Sequence, residues 1–240
     1  MTPYLSLVLA CYNEQAILES SFIEIRETLE RFGRPFEILF VDDASRDRTR
    51  ELIRKIVTNN PDVDLRVILH DTNCGRGATV ADGFRAARGE IAGYLDVDLE
   101  VHCRHLACVV GTIEQGADVA TVRRRHSLRA RRLGRYVMSL GYAWLVRELL
   151  AVPLRDPESG FKFFRREKLM PVLDTIQASG WFWDTEFMVR AWRRGLIIRE
   201  IPGDYIRRPD KISTVRPVRD ACESFVRLWL FRRQLQRGDR

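Results

Sequence analysis

The chain has 240 residues, 45% of them apolar, 30% charged and 10% aromatic, with 40 Lys and Arg against 33 Asp and Glu for a formal net charge of +7. That balance excludes a disordered, collagen-like or coiled-coil chain and leaves ample material for a buried core. No apolar run reaches the roughly 18 residues of a membrane span, and the Met1-Thr2-Pro3-Tyr4 start lacks the basic region of a secretory signal, so a cytoplasmic protein is expected.

In chain order, the first half alternates strand and helix. The apolar run Leu5 to Ala10 predicts a buried strand, with a helix from about Glu14 to Arg31. Residues 37–41 predict a second strand, after which Asp42-Asp43-Ala44-Ser45 turns into a helix through Val57. Residues 65–69 predict a third buried strand, then a turn at Gly75-Arg76-Gly77 and a helix to about Arg88. A fourth strand covers 91–96, a helix lies near 104–114, and a fifth strand covers 118–122. Continuous apolar strands alternating with helices imply a mostly parallel sheet covered on both faces, whose ligands bind at the carboxyl ends of the strands.

The second half is less regular. Residues 129–150 carry apolar side chains at helical spacing behind an arginine-rich start. Asp156-Pro157-Glu158-Ser159-Gly160 is a turn into a short strand at 161–164. Asp184 stands where it would cap a helix running to Arg194. Two strands, 196–201 and 204–208, are expected around Pro202-Gly203, and residues 218–236 read as a terminal amphipathic helix. One domain over 1–216 with an appended helix at 217–240 follows.

Acidic and polar residues stand at almost every strand end: Tyr12-Asn13-Glu14, Asp42-Asp43, Gly75-Arg76-Gly77, Asp96-Val97-Asp98 and Arg123-Arg124. Asp96 and Asp98, alternating along an extended chain, would face one side as hard oxygen donors suited to Mg²⁺ or Mn²⁺. The five cysteines are scattered without a C-x-x-C, so reduced thiols are expected. His102, Cys103, His105 and Cys108 have offsets that do not bring four ligands to one point. Only four basic residues are lysine, and arginines crowd 123–135 and 207–233, patches that attract phosphates of any kind.

These motifs, in order, resemble family 2 glycosyltransferases of the GT-A fold. They are Ala10 to Glu14, Val41 to Asp47, Gly75 to Ala78, Leu95 to Leu99 and Asp156 to Lys162. The closest resemblance is to dolichol- and polyprenol-phosphate sugar synthases, over roughly residues 5–213. It implies a Rossmann-like α/β sheet and an inverting, metal-dependent transfer of a hexose from a nucleotide sugar to polyprenyl or dolichyl phosphate. GDP-mannose is the first choice of donor and UDP-glucose the second. By the same resemblance, Ala10, Tyr12, Asn13, Glu14, Asp42, Asp43, Gly75, Arg76, Gly77 and Asp96 would bind the nucleotide sugar. Asp96, Asp98 and Glu100 would hold Mg²⁺ or Mn²⁺; Glu100 stands where relatives carry Gln. Arg124, Ser159, Lys162, Arg208, Lys211 and Ser213 would meet acceptor or phosphate. Asp96, Asp98, Arg124 and Asp156 would carry the chemistry.

An ionised lipid phosphate needs no strong base, whereas a hydroxyl acceptor would need a carboxylate such as Asp156 or Asp184. A lipid acceptor requires contact with a membrane surface, on its cytosolic face. The arginine-flanked helices at 129–150 and the C-terminus, with Trp144 and Trp229, would supply it, or a small membrane-anchoring subunit would. Rival readings are a soluble family 2 enzyme with a UDP-sugar and a hydroxyl acceptor, and a basic nucleic-acid-binding module. Acidic strand ends repel nucleic acid and weigh against the second. A sugar-phosphate nucleotidyltransferase would need a Gly-rich basic loop near the N-terminus. A Rossmann dehydrogenase would need G-x-G-x-x-G after the first strand, and neither motif is present.

Overall fold

The computed structural model describes residues 2–126, 133–206 and 217–237. Seven strands are β1 (Leu5–Cys11), β2 (Phe36–Asp42), β3 (Asp64–Leu69), β4 (Ile91–Leu95), β5 (Val119–His126), β6 (Phe161–Arg165) and β7 (Ile198–Tyr205). Eight helices are α1 (Leu18–Phe32), α2 (Thr49–Asn59), α3 (Arg76–Ala86), α4 (Leu106–Glu114), α5 (Leu133–Leu150), α6 (Arg166–Leu173), α7 (Trp183–Arg193) and α8 (Pro217–Gln236). The strands form one sheet in the order β3-β2-β1-β4-β6-β5-β7. β1 to β4 are mutually parallel, β5 is parallel to β7, and β6 runs antiparallel between β4 and β5.

That topology puts the chemistry at one edge. The carboxyl ends of β1, β2, β4, β5 and β7 and the amino end of β6 all lie there, as the register Leu95↔Phe161 and Thr121↔Lys162 shows. One apolar layer covers each face. Leu7, Leu9, Ile38 and Phe40 pack with Phe22, Ile25 and Leu29 of α1, while Val8, Leu39 and Val41 pack with Val80 and Phe84 of α3. The strict alternation of β1 and β2 side chains between these layers is what a sheet buried on both faces requires.

Three expectations change. β3 is an edge strand and not a buried one, with Val67 and Leu69 more than a third exposed. α1 begins at Leu18, four residues after Glu14, because the Glu14 and Gln15 N–H groups donate to Thr49 Oγ1 (2.8 Å) and Asp47 Oδ2 (3.2 Å) of the next loop. The two strands expected around Pro202-Gly203 are one, β7. It is the outermost strand of the sheet, where a residue without an N–H costs no ladder bond. The terminal helix α8 buries Leu228 and Phe231 in the layer that holds Phe182 and Phe187.

Candidate active site

The turns after β1 and β2 staple each other. Asn13 N–H donates to Ser45 Oγ (2.9 Å) and Arg46 N–H to Asn13 Oδ1 (2.8 Å). Both turns need a left-handed residue, Asn13 at φ 57° and Ala44 at φ 58°. Asp42 and Asp43, both expected to contact the nucleotide, face inward. Asp42 is fully buried and takes Arg50 Nε at 2.6 Å. Asp43 accepts the N–H groups of Cys74 (2.7 Å) and Gly75 (2.9 Å), with His70 Nδ1 at 3.0 Å. Its carboxylate therefore shapes the turn entering α3. Tyr12 is 42% exposed beside it. Gly77 is required by packing, since a Cβ there would collide with Trp183.

Asp96 to Glu100 is a tight turn rather than the extended chain expected. Leu99 N–H donates to Asp96 O (3.0 Å) and Glu100 N–H to Asp98 Oδ1 (3.1 Å). Leu99 sits at φ 52°, a left-handed conformation that costs a leucine about 1–3 kcal/mol and that clusters at functional sites. Gly160 presses against Asp96, whose carboxylate would collide with any Cβ there. Burial in the cleft, with Asp98 and Asp184 nearby, pushes the Asp96 carboxyl above its usual range against the opposing pull of Arg76. Tyr205 OH donates to the Glu100 carboxylate, and Ile206 N–H to Glu100 O (2.8 Å), tying β7 to the turn. Asp96, Asp98 and Glu100 put three carboxylates on one turn, and hard oxygen donors are of the kind that suits an oxygen-seeking divalent cation.

Behind the turn lies a buried charge cluster. Asp184, on the first turn of α7, takes Lys162 Nζ (2.7 Å), Arg76 Nη1 (2.5 Å) and the Tyr94 hydroxyl. Arg76 also reaches Asp96 Oδ1 (2.7 Å) and lies between the rings of Tyr94 and Trp181, each centroid 5.2 Å away. Burial alone would raise the Asp184 pKa, but Lys162 and Arg76 hold it below the usual carboxylate range. The helix-cap expectation for Asp184 is thus overturned. The residue at the cap is Phe182, and Asp184 is 2% exposed and ion-paired. Lys162, expected to meet the acceptor, points the other way: its side chain is wholly buried and also donates to Tyr94 Oη (3.0 Å) and Ser159 O.

Arg124 stands at the carboxyl end of β5. Its Nε and Nη2 grip both oxygens of Asp156 (2.9 and 2.7 Å), and its backbone N–H donates to Asp156 Oδ2 (2.9 Å). Asp156 is itself set by its N–H to Glu200 Oε1 (2.7 Å). A two-point fork of this kind fixes the guanidinium and leaves its other N–H donors for an anion. Ser159 is fully buried, and its hydroxyl has no partner among the described residues.

The structure thus gathers Asp43, Gly75, Arg76, Asp96, Asp98, Glu100, Arg124, Asp156 and Ser159 at one edge. Arg208, Lys211 and Ser213 lie outside the described residues. Sequence reasoning missed Tyr94, Tyr205 and Glu158. The first two are aromatic residues on strands, indistinguishable by pattern from core. Of the four His and Cys residues near α4, His102 and Cys103 approach Glu24, their donor atoms within 4.8 Å of one another, and Cys108 is exposed.

Residues 6–173 match the family model Glycosyl transferase family 2, and the chain belongs to that family. It is 36% identical over 232 residues to Glycosyltransferase AglD of Haloferax volcanii, covering 93% of this chain and 36% of that protein. It is 27% identical over 219 residues to the Dolichyl-phosphate beta-glucosyltransferase of Saccharomyces cerevisiae, covering 83% of this chain and 66% of that one. The chain therefore spans about a third to two thirds of the length of these relatives. Among solved structures, glucosyl-3-phosphoglycerate synthase from Mycobacterium tuberculosis, in complex with Mn²⁺, UDP and glucosyl-3-phosphoglycerate, superposes with TM-score 0.69 at 22% identity. That match covers 96% of this chain and 80% of that one. It establishes the α/β fold expected from the motifs.

Proposed function

We propose that this protein transfers a hexose from a nucleoside diphosphate sugar to a polyprenyl phosphate, inverting the anomeric carbon. The observation that carries the reading is the placement of the Asp96–Glu100 turn beside Arg124 at one sheet edge, within a family 2 chain. Asp96 and Asp98, supported by Glu100, would hold Mg²⁺ or Mn²⁺, which when bound offsets charge on the leaving diphosphate. Mn²⁺ or Mg²⁺ with UDP in solved structures of this fold supports that assignment.

The chain's own residues do the rest. The turns after β1 and β2, fixed by Asn13, Ser45 and Asp43, shape the nucleoside end of the cleft. Arg124, oriented by Asp156, binds the acceptor phosphate through its remaining N–H groups and aims one oxygen at the anomeric carbon. Charge that builds on the leaving group meets Arg76 as well. A hydroxyl acceptor is disfavoured because Asp156 and Asp184, the carboxylates expected to serve it, are both spent in ion pairs.

Relatives named as dolichyl-phosphate glucosyltransferases support UDP-glucose ahead of GDP-mannose as donor. No helix among the described residues is long and apolar enough to cross a membrane. Peripheral docking on a membrane surface is supported by Trp144 on α5 and by Val226, Trp229 and Leu230 on α8; the cytosolic face is the one we propose. All four are at least 40% exposed, with Arg233 stacked 3.8 Å over Trp229. The test is a panel of radiolabelled nucleotide sugars with Mn²⁺ and polyprenyl phosphate in vesicles. A glucosylated lipid product is expected, and transfer to sugar hydroxyls alone would sink the reading.

A further inference from the structure

Trp181 is the most exposed large apolar side chain among the described residues, at 70%. Exposure alone says little, since lone surface apolar residues are common; its position says more. The indole stacks on the Arg76 guanidinium, 5.2 Å from carbon to ring centroid. That guanidinium donates to Asp96 Oδ1 from Nε (3.1 Å) and Nη2 (2.7 Å). One cation thus separates the ring from the carboxylate at the head of the acidic turn, and that carboxylate is 42% exposed.

The backbone under the ring is anchored on both sides. Ser179 O accepts Ala78 N–H (3.0 Å), which seats the loop on the first turn of α3, and Gly180 O accepts Trp183 N–H (3.1 Å). Just before them, the N–H groups of Gln177 (3.2 Å) and Ala178 (2.8 Å) donate to the Glu186 carboxylate. The same loop also touches α8. A Cβ on Gly180 would lie 3.8 Å from Arg227 Nη1, and Phe182 packs edge-on against Phe231 with ring centroids 5.6 Å apart. Trp181 therefore stands at the junction between the Asp96 turn and the helix that exposes Val226, Trp229 and Leu230.

We propose that Trp181 is a specificity-determining residue that binds the isoprenyl chain of the acceptor next to its phosphate. The proposal deepens the polyprenyl-phosphate reading and rests on it. To react, the acceptor phosphate has to meet the anomeric carbon beside the Asp96 turn while its chain runs back to the lipid surface. A chain bound for α8 passes the α6–α7 loop, and Trp181 is the large apolar side chain which that loop exposes. Arg76 covers one face of the indole, and the exposed remainder offers a rigid apolar surface for an isoprene unit to cover. A ring already held by stacking on an anchored loop gives up little freedom when the chain binds.

The experiment measures KM and kcat in detergent micelles, where docking on a vesicle plays no part. The substrates are polyprenyl phosphates of two and eleven isoprene units and the nucleotide sugar. Wild type, Trp181→Ala and Trp181→Phe are compared, with thermal melting alongside. For Trp181→Ala we expect the KM for both acceptors to rise about tenfold, with kcat and the KM for nucleotide sugar within about twofold of wild type. Trp181→Phe, which keeps an aromatic face, restores most of the acceptor affinity. A rise in the KM for nucleotide sugar instead would assign the ring to the donor hexose and overturn the proposal. A change in kcat alone, no change, or a Phe variant no better than Ala overturns it too, and each leaves the polyprenyl-phosphate reading standing. A wild-type enzyme that glycosylates neither acceptor overturns both.

Discussion

The two halves of the active edge are held by different physics. At one end, the turns after β1 and β2 are tied by short polar side chains to backbone N–H groups: Asn13, Ser45, Thr49 and Asp47. Around β4 and β6, the elements α3, β6 and α7 are tied by buried charge, Lys162 and Arg76 converging on Asp184. Turn bonds are individually modest, about 1 kcal/mol each. A buried ion pair is nearly neutral when intact and costly when halved. The β1–β2 turns should therefore tolerate change gradually, and the Asp184 cluster should fail abruptly.

The largest effect expected is that of Asp184→Ala, which leaves the Lys162 ammonium buried without its carboxylate. A loss of about 3–5 kcal/mol in urea unfolding should follow, with much of it recovered when Lys162→Met is added. A loss under about 1 kcal/mol would erase the contrast between the halves. Next, Arg124→Lys removes the fork on Asp156 while keeping the charge. It should lower kcat/KM about 10- to 100-fold, or roughly 1.4–2.7 kcal/mol, in steady-state assays.

The Glu158 carboxyl sharpens the comparison through pH. Its folded pKa of about 7 lies above the usual 4.5, so the proton is bound more tightly in the folded state. The stability this confers is complete below about pH 4.5 and is lost as pH rises through about 7. Glu158→Gln should thus be up to about 2 kcal/mol more stable than the wild type at pH 8, after allowance for screening at a half-buried site. Near pH 4.5 the difference should vanish, and melting curves at the two pH values check it. The smallest effect is at the β1–β2 turns. Asn13→Ala should cost about 1 kcal/mol and raise the KM for nucleotide sugar more than it lowers kcat.

The same division explains what the sequence made legible. Strand ends bearing Asp43, Asp96 and Asp98 follow from apolar runs and the motifs that close them, and local pattern is enough to place them. Asp184 reads as a helix cap from the sequence because its partner Arg76 lies 108 residues away, and no spacing rule links such a pair. The resemblance gives Lys162 to the acceptor, whereas the antiparallel insertion of β6 turns it into the interior. Glu158 sits within the motif Asp156 to Lys162, yet its raised carboxyl pKa comes from burial, which spacing alone does not show. Pro202-Gly203 misled for a different reason, since a breaker pair interrupts a strand only where both edges are used.

The central claim is that an acidic turn at the sheet edge accepts a diphosphate only with a divalent ion between them. The most direct test is calorimetric titration of the protein with UDP, with Mn²⁺ and with EDTA, for the wild type and Asp98→Ala. Binding that requires Mn²⁺ and disappears in Asp98→Ala is the predicted result. Equal UDP affinity in EDTA, or full binding by Asp98→Ala, would contradict it.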